Sequence, residues 1–359
     1  MMVLDPQKDE VASDAAADAS VADLLKMASR KSPLNGEKPV QAAFQISVLV
    51  TAYRRPHQLR EALQSLAIQD RSLIGEIVVG DDSPADEAKA NQAVIEASEL
   101  RPLIRYFHHS PSLGAYPNHW FLGTEARFSH LMFLHDDDAL CPGAIASLVT
   151  ACEQERDPEV RLWFGRNIIM DVDGKVDPTE SDAHNVRYGR SGPGSVRQLW
   201  EWCLHEAVTP NSFLVHADDY RSLMRGTRDG NVGDFGFVVR LANTGARARF
   251  IAKDMFFYRV QAASSTSSGR GVDVHRAYEI STSLQVPPEF ESMKRRRFDP
   301  MALTATVRHA RDGERREAWK LYWSDAWTWR QRLSMRGFAV LAMILTPRVT
   351  WNWALSNRA

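Results

Sequence analysis

Apolar positions along this chain follow two alternating patterns, short unbroken runs and longer stretches with helical spacing. Residues 46–50 form a short, largely β-branched run, which is typical of a strand buried on both faces. The following stretch keeps helical spacing at four apolar positions, Leu59, Ala62, Leu63 and Leu66. Because strands and helices continue to alternate, we predict an α/β fold with a mostly parallel sheet flanked by helices.

The pattern changes at both ends of the chain. Residues 1–43 are rich in Ala, Asp and Ser and bury too little apolar surface to offset ordering, which predicts a flexible segment. After about residue 285 the pattern is helical and rich in Arg and Trp. We therefore expect one globular domain over residues 44–284 and a C-terminal helical extension over residues 285–359.

Six of the ten tryptophans lie between residues 319 and 359. Trp319, Trp323 and Trp327 are spaced by four, which predicts one aromatic stripe along a helix. Such a stripe packs on protein, on the domain or on a second subunit, or it lies in a membrane interface, where Trp and Arg are favoured. Packing is the commoner use of helical spacing, and a peripheral membrane contact and a homo-oligomer both stay open.

Charge and cysteine content exclude several classes of protein. The net charge of -1 gives no general attraction to nucleic acid, so we expect no nucleic-acid partner. Three scattered cysteines without metal-type spacing suggest a reducing compartment.

We see no signal peptide, and the longest apolar run, at residues 337–345, is shorter than the about 20 residues of a membrane span. The expected location is cytoplasmic, with contact at the inner face of the membrane as a variant.

Three of the predicted strands end in distinctive residues: Thr51-Ala52-Tyr53, Asp81-Asp82-Ser83 and Asp136-Asp137-Asp138. In parallel sheets ligands bind beyond the carboxyl ends of the strands, so these ends converge on one edge. Clustered aspartates repel one another and form strands poorly. They indicate either a solvated turn or a cation site, and a solvated turn must explain the acids at two strand ends independently.

Four segments resemble, in order and spacing, the inverting family 2 glycosyltransferases of the GT-A fold. They read ISVLVTAYRRPHQLREALQSLAIQ, EIVVGDDSPAD, LGAYPNHWFLGTEARFSHLMFLHDDDAL and NVGDFGF. The resemblance covers about residues 44–262 and implies a Rossmann-like sheet. It also implies transfer of a sugar from a nucleoside diphosphate donor, UDP- or TDP-linked, to a hydroxyl acceptor. The acceptor classes are a glycan, a lipid-linked glycan or a small molecule, in polysaccharide or glycoconjugate biosynthesis.

The resemblance implies that Asp137 or Asp138 is the chief ligand of Mg²⁺ or Mn²⁺, and that Asp136 helps to hold the metal and the diphosphate. Both ions prefer hard oxygen ligands, and a divalent ion stabilises the leaving diphosphate. His135 stands where family members often carry an acid. It is a neighbour of the metal ligands, a contact of the nucleotide, or a strand-end histidine without a role.

Five residues are implied on the nucleotide side of the site. Thr51, Ala52 and Tyr53 match the turn that wraps the base, and Asp82 matches the acid that reads it. A carboxylate can accept a hydrogen bond from the imide N–H of uracil or thymine. Arg55 is a phosphate or base contact, or a solvated arginine of the first helical turn.

Two further donor contacts carry structural alternatives. Asn118 falls in the donor-contacting segment, although a helix cap explains it equally simply. Arg259 is either a diphosphate contact or half of a structural ion pair. Gln261 stands where the family often has a histidine, which weakens or changes that contact.

The resemblance makes Asp234 the general base that takes the proton of the acceptor hydroxyl. A helix N-cap is the alternative for Asp234, and the two roles can coexist. No Gly-x-Gly-x-x-Gly motif follows the first strand, so a dinucleotide site is not expected. Because His135 and Gln261 depart from the family pattern, a non-catalytic module that binds a nucleotide sugar or a glycan is the alternative function.

Overall fold

The structure, a computed structural model, describes residues 44–227, 229–260 and 273–346, together with Ser20, Val21, Asp23 and Leu25. The flexible segment predicted for residues 1–43 falls almost entirely outside the described residues, and Gln261 lies outside them as well. The tryptophans at 351 and 353 also fall outside this range.

The described residues contain ten strands that form one sheet. The strands are β1 Ile46–Ala52, β2 Ile74–Asp81, β3 Ile104–His108, β4 His130–His135, β5 Ala139–Leu140, β6 Val160–Met170, β7 Val176–Asp177, β8 Ser195–Gln198, β9 Leu214–His216 and β10 Arg247–Arg259.

Helices cover both faces of this sheet and form the C-terminal region. Those of the sheet region are α1 Pro56–Ala67, α2 Ala85–Glu96, α3 Ala115–Glu125, α4 Ala144–Glu153, α5 Pro178–Arg187, α6 Leu199–Leu204, α7 Ala217–Met224 and α8 Gly233–Ala242. Those that follow are α9 Val274–Ser283, α10 Glu291–Phe298, α11 Ala302–Asp312, α12 Arg315–Tyr322, α13 Trp329–Arg332 and α14 Met335–Leu345.

The sheet has the order β3-β2-β1-β4-β9-β6-β10-β5, with β7 beside β6 and β8 beside β10. Strands β3, β2, β1 and β4 pair parallel with one another in that order, and β6 pairs parallel with β10. Strand β9 is antiparallel to β4 and β6 and joins the two parallel parts. The prediction of an α/β fold with a mostly parallel sheet, flanking helices and a helical C-terminal region is confirmed.

The register of the parallel strands aligns the three distinctive strand ends. Thr51 on β1 is paired with His135 on β4, and Ala52 is paired with Asp81 on β2. Parallel strands place their carboxyl ends at the same edge, so the residues after each strand meet there. This alignment puts the turn after β1 between the two acidic segments.

One predicted element differs from the structure. The pattern VRQLWEWCL predicts a helix from Ser195, whereas residues Ser195–Gln198 form strand β8 and helix α6 begins at Leu199. Strand β8 pairs antiparallel with residues 247–250 of β10. The free edge of β10 offers hydrogen-bond partners that a local helical pattern does not anticipate, so tertiary pairing overrides it.

Apolar side chains form one cluster on each face of the sheet, a third cluster in the C-terminal helices and a smaller one that includes Met170 and Phe257. On the sheet, one face packs around residues such as Phe164 and Phe237, and the other around Ile46 and Trp163. The third cluster contains Tyr322 and other residues of α9 to α14. Helix α9 belongs to both parts, because Ile280 packs with the sheet cluster and Tyr278 with the C-terminal one.

The predicted tryptophan stripe does not lie on one helix. Helix α12 ends at Tyr322, and Trp323 is its C-terminal cap, so the spacing of four is not continued. Trp327 is 2% exposed and donates its indole N–H to Thr306 Oγ1 at 3.1 Å, as packing predicts. Trp319 and Trp323 are 43% and 45% exposed. In the part of the chain that the structure describes, no helix has the length and apolar character of a membrane span.

Candidate functional site

A cavity of about 500 Å³ opens at the edge where β1, β2 and β4 end. Ten of the eleven residues predicted for the site line it: Thr51, Ala52, Tyr53, Arg55, Asp82, Asn118, Asp136, Asp137, Asp234 and Arg259. Asp138 lies behind the wall, where its side chain is 1% exposed. The fold thus gathers residues from six separate segments of the chain around one space.

The turn after β1 is tied to both acidic strand ends. The backbone N–H of Tyr53 donates to Asp136 Oδ2 at 2.8 Å, and the backbone N–H of Asp82 donates to the carbonyl of Ala52 at 3.0 Å. Arg54 adopts a left-handed conformation, with φ of 58°, and its N–H donates to Ser83 Oγ. The turn is therefore held as a rigid wall of the cavity, while the Tyr53 ring is 45% exposed at the rim.

Asp82 holds the loop of residues 112–114, here called the glycine loop, which faces this turn. Its carboxylate accepts hydrogen bonds from Ser112 Oγ at 2.6 Å, from the Leu113 N–H at 2.6 Å and from the Gly114 N–H at 2.7 Å. Gly114 has a φ of +91°, which favours glycine over side-chain-bearing residues. Asp82 thus has a structural task in addition to the base contact that was predicted for it.

The neighbouring Asp81 is wholly internal. Its side chain accepts from the N–H of Ser83 at 3.0 Å, from Asn91 Nδ2 at 3.1 Å and from the Tyr106 hydroxyl at 2.9 Å. It is 0% exposed. Asp81 therefore anchors the turn after β2 and offers no oxygen to the cavity.

Asn118 is not a helix cap. Helix α3 begins at Ala115 with Gly114 as its N-cap, so Asn118 lies within the first turn. Its Nδ2 donates to the Gly80 carbonyl at 2.8 Å, and its Oδ1 lies 3.2 Å from His109 Nε2. A side chain on Gly80 would meet the Asn118 amide, so this close approach of helix and strand needs glycine.

The three aspartates after β4 have different partners. Asp136 accepts from the Tyr53 N–H and, at 3.1 Å, from Arg55 Nη1. Asp137, with its side chain 21% exposed, receives Arg55 Nη1 at 2.8 Å. Asp138 accepts from the Arg259 backbone N–H at 2.8 Å and from Asn211 Nδ2 at 2.6 Å. Asp137 is therefore the carboxylate that faces the cavity most openly.

The negative charges of this cluster are unfavourable because the carboxylates are buried next to one another. Burial, together with the charge of Asp137, raises the pKa of Asp136 to about 7 and raises the pKa of Asp138 well above its ordinary value. Burial works against the charge on Arg55, but Asp137 and Asp136 outweigh it and raise the Arg55 pKa. A cation that joined the cluster would relieve this repulsion.

The donor set fits a divalent metal ion. Ligand atoms of His135, Asp137 and Asp138 lie within 4.8 Å of one another. Two carboxylates are the hard ligands that Mg²⁺ and Mn²⁺ prefer. Burial lowers the pKa of His135, which favours the neutral imidazole that a metal ion requires. Because both oxygens of Asp138 already accept hydrogen bonds, Asp137 fits the role of chief ligand better.

Arg259 takes part in the ion pair that the sequence left as its alternative. Its Nη2 contacts Glu61 Oε2 at 2.6 Å, and its side chain is 2% exposed. Its Nε donates to the Asp137 carbonyl at 2.8 Å, and its Nη1 donates to the carbonyls of Asp171 and Val172. The guanidinium therefore braces the loop of the acid cluster from behind.

Asp234 stands in the first turn of α8, whose N-cap is Val232. It is therefore not the cap that the sequence offered as its alternative. Burial raises the pKa of Asp234 to about 6, although the N–H groups of Phe235 and of Asp234 itself favour the ionised form; Asp229 adds to the rise. A carboxylate with such a pKa is ionised above pH 6 and still accepts a proton readily.

Among the cavity residues that the sequence patterns did not single out, three carry aromatic or imidazole rings: Tyr116, His119 and Tyr258. His119 stacks on Phe133 with ring centroids 4.9 Å apart, and burial together with His135 lowers its pKa to about 3. Burial raises the pKa of Tyr258, next to the predicted Arg259. The sequence held a signal for two of these residues, because His119 directly follows the predicted Asn118 and Tyr258 directly precedes the predicted Arg259.

A second group with metal-ligand spacing lies among the C-terminal helices, formed by His275, His309 and Glu314. His309 Nδ1 contacts Glu314 Oε2 at 2.7 Å, and Arg276 pairs with Oε1 of the same carboxylate. The charge of Glu314 is thus already balanced by a cation. This group fastens α9, α11 and the start of α12 to one another.

Comparisons with known proteins address the fold and the family. Residues 47–166 match the family model described as Glycosyl transferase family 2. The Mycobacterium tuberculosis (strain CDC 1551 / Oshkosh) protein MT1568 is 31% identical over 170 residues, which cover 46% of this chain and 49% of that protein. The match thus spans about half the length of this curated relative.

Two solved structures from S. aureus are similar to this chain. TarS 1-349 in complex with UDP-GlcNAc has a TM-score of 0.54 at 14% identity, covering 84% of this chain and 80% of that chain. The structure of S. aureus TarS has a TM-score of 0.52 at 14% identity, covering 84% of this chain and 53% of that chain. At this identity the similarity concerns the fold.

Proposed function

We propose that this chain, whose residues 47–166 match the family model described as Glycosyl transferase family 2, transfers a sugar, with inversion, from a UDP- or TDP-sugar to a hydroxyl acceptor. One observation carries the proposal. A single cavity is lined by the turn after β1, by the acid cluster after β4 and by Asp234 at the start of α8. These are the parts needed to hold a nucleotide, a diphosphate and a general base.

The nucleotide end of the donor would lie between the turn after β1 and the glycine loop. Thr51, Ala52 and Tyr53 supply one wall, and Asp82 and Asn118 supply the other. Because Asp82 already holds three donors of the loop, its contact with the base would use a remaining lone pair. Base recognition and loop geometry therefore depend on the same carboxylate.

The diphosphate would lie against the acid cluster. Asp137, with Asp138 and His135 beside it, would hold Mg²⁺ or Mn²⁺, which when bound supplies positive charge to stabilise the leaving nucleoside diphosphate. Arg55, whose side chain is 35% exposed, reaches both Asp136 and Asp137 from the cavity wall and is available to the phosphates. Arg259, turned inward to Glu61, acts as a positioning residue for this loop.

The transfer step requires a base on the acceptor side. The acceptor oxygen forms a bond to the anomeric carbon, while the bond from that carbon to the phosphate oxygen breaks. The proton of the acceptor hydroxyl passes to the Asp234 carboxylate. The start of a helix favours a negative charge there and keeps the carboxylate ionised before the reaction. The acceptor classes remain a glycan, a lipid-linked glycan or a small molecule, in polysaccharide or glycoconjugate biosynthesis, and the location remains cytoplasmic.

The first test is calorimetric titration of the protein with UDP, TDP and GDP, each with Mn²⁺ and again with EDTA. We expect metal-dependent binding of UDP or TDP. The nucleotide that binds then selects the sugar donors for a turnover assay with Asp234→Asn. That variant should bind the nucleotide as well as the wild type and lose turnover by about 10²- to 10⁴-fold, the range for general base catalysis.

The same experiment separates the transferase from a non-catalytic binding module. A module would bind the nucleotide sugar and leave it intact in the wild-type protein, including in the presence of a broad set of hydroxyl acceptors. Unchanged turnover in folded Asp234→Asn would refute the assignment of the base. Absence of binding by all three nucleotides would refute the donor site itself.

A further inference from the structure

The C-terminal helices carry an exposed apolar surface, here called the tryptophan face. It consists of Trp319, Trp323, Trp329, Leu333, Met335 and Phe338, which are 43%, 45%, 66%, 68%, 91% and 56% exposed. Five of the six are followed by another member within six residues along the chain. Large apolar side chains scattered singly need no explanation, but a concentration of this kind marks an interaction surface.

Helix α14 is apolar on both of its sides. Gly337, Val340 and Ile344 face the protein and are buried. Met335, Phe338 and Leu345 point outward, and Leu345 is 62% exposed. Apart from Arg336 near its start, α14 is apolar on its outward side too, and a helix that is apolar all round is normally covered on every side. The outer side of α14 therefore calls for a cover other than water.

The aromatic side chains of the face are held in place by one another. The Trp319 and Trp323 rings lie 5.8 Å apart, and the Trp323 and Trp329 rings lie 6.4 Å apart. The Arg332 guanidinium lies over both Trp323 and Trp329, at 5.5 and 4.9 Å from the ring centroids. The face is thus a pre-arranged surface, which binds at a lower entropic cost than loose side chains would.

The charge of the C-terminal region indicates which kind of partner covers the tryptophan face. The sequence from residue 326 to residue 359 contains five arginines, at 330, 332, 336, 348 and 358, and no Asp or Glu. The whole chain, by contrast, has a net charge of -1. Arg330 and Arg336 are exposed beside the tryptophan face. Residues 319–338, which contain the whole face, carry Lys320 and three arginines against the single acid Asp325. The face therefore combines apolar and aromatic side chains with a net positive charge.

We propose that the tryptophan face docks onto an anionic lipid bilayer surface. Trp, Phe and Leu enter the boundary between headgroups and acyl chains, while arginines beside them attract anionic headgroups. A second copy of the chain is a poorer cover, because a two-fold interface would bring the same arginines together. Residues 347–359 are also a poorer cover, since they add two arginines and no acid.

This surface is separate from the cavity. None of the cavity-lining residues comes from residues 315–346. Docking would therefore hold the domain at a membrane without using any group of the proposed transfer reaction. The proposal stands or falls independently of the transferase activity.

The test is co-sedimentation of the full chain with vesicles of phosphatidylcholine alone and of phosphatidylcholine with phosphatidylglycerol. The wild type should bind the anionic vesicles more strongly, and salt should weaken the binding. The double variant Trp329→Ser/Phe338→Ser should lower the partition by at least about tenfold, because it removes two large apolar side chains from the contact. The double variant Arg330→Glu/Arg336→Glu should lower it by about 25-fold or more, since each arginine contributes about fivefold.

Matched controls come from exposed residues elsewhere. Val186→Ser, at a site 62% exposed, controls for loss of an apolar side chain, and Lys89→Glu controls for charge reversal. Both controls should bind vesicles as the wild type does, and all variants should keep the wild-type circular dichroism and nucleotide affinity. Equal binding to both kinds of vesicle, or equal losses in controls and face variants, would overturn the proposal.

Two further measurements test the alternative partners of the tryptophan face, which are a second copy of the chain and residues 347–359. Analytical ultracentrifugation that shows a dimer which only the face variants dissociate, without vesicle binding, would assign the face to a second copy and overturn the proposal. Vesicle binding that appears only after removal of residues 347–359 would assign it to that segment, and would overturn the proposal for the full chain. A wild-type chain that binds anionic vesicles by itself supports it.

Discussion

Two acidic strand ends look alike in the sequence and are used differently in the structure. After β2, Asp81 and Asp82 accept six hydrogen bonds from neighbouring side chains and backbone N–H groups. After β4, the aspartates at 136 to 138 crowd one another, and burial raises the pKa of two of them. The first pair shapes the wall of the cavity, whereas the negative charge of the second cluster is not fully compensated by the protein.

The difference teaches that the number of donors to each carboxylate distinguishes the two ends. Asp81 and Asp82 accept three hydrogen bonds each, whereas each aspartate after β4 accepts one or two. A carboxylate that accepts several hydrogen bonds is stabilised in its charged form by the protein itself. A carboxylate that is buried beside another carboxylate depends on a cation. Arg55 partly fulfils this need at Asp136 and Asp137, but it is a single positive charge shared between two acids.

The largest effect should come from Asp137→Asn. This change removes the most open carboxylate of the cluster, so Mn²⁺-dependent nucleotide affinity should fall by at least about 100-fold, beyond what loss of a partner of a metal ligand costs. Stability in EDTA should be unchanged or higher, because like-charge repulsion is removed. Calorimetry with the nucleotide that the wild type binds gives the affinity, and urea denaturation gives the free energy of unfolding.

Asp138→Asn is the matched control for that variant. It removes a carboxylate whose two oxygens hold Arg259 and Asn211, so stability should suffer together with affinity. If Asp138→Asn abolished metal-dependent binding while Asp137→Asn preserved it, the order of the two ligands would have to be reversed.

The next largest effect should be a pH dependence of kcat/KM, which distinguishes Asp234 from the acids at both strand ends. A base must be ionised, and burial raises the pKa of Asp234 to about 6. We therefore expect kcat/KM to fall about tenfold per pH unit below pH 6 and to be level above it, rather than to fall near pH 4 as for an ordinary aspartate. A series of rate measurements from pH 4.5 to 8.5 at saturating Mn²⁺ checks this.

Nucleotide affinity must be measured over the same pH range, because the pKa of Asp136 is raised to about 7. A fall in rate that follows the affinity belongs to the acid cluster. A fall that remains after correction for affinity belongs to Asp234. A level profile down to pH 4.5 would contradict the role of Asp234 as a base with a raised pKa.

The smallest effect should come from Asp82→Asn. The amide keeps one acceptor oxygen and replaces the other with a donor, so one or more of the donors of Ser112, Leu113 and Gly114 loses its partner. The cost should be about 1–3 kcal/mol in the free energy of unfolding, with weaker nucleotide binding as the loop loosens. Thermal and urea unfolding measure the first, and calorimetry measures the second.

Asp81→Asn provides the comparison for this variant, because Asp81 is equally buried but offers no oxygen to the cavity. It should lose stability with a smaller loss of affinity. Equal losses of affinity in the two variants would mean that Asp82 serves the loop alone and does not read the base.

Residue patterns predicted some parts of the site and not others. Buried strands and the acids at their ends are local features, so the sequence predicted their convergence on one edge. The pattern could not reveal that Arg259 turns inward to Glu61, which lies far away along the chain. It also could not reveal that Asn118 bonds Gly80 instead of capping a helix, because a cap depends on the exact first residue of α3.

The C-terminal extension repeats this lesson. The spacing of Trp319, Trp323 and Trp327 predicted one stripe, but α12 ends at Tyr322 and only Trp327 of the three is buried. Helical spacing describes a face only while the helix continues. The end of α12 therefore breaks the predicted stripe, and two of its three rings are exposed.

The sequence by itself determined the alternation of strands and helices, the acids at the strand ends and the basic, aromatic character of the C-terminus. These are properties of residue type and of spacing along a few turns or strands. Only the tertiary structure decided which carboxylates find donors, which arginine is buried and which tryptophans face solvent. Each of those outcomes depends on contacts between residues distant along the chain, and local spacing carries no record of such contacts.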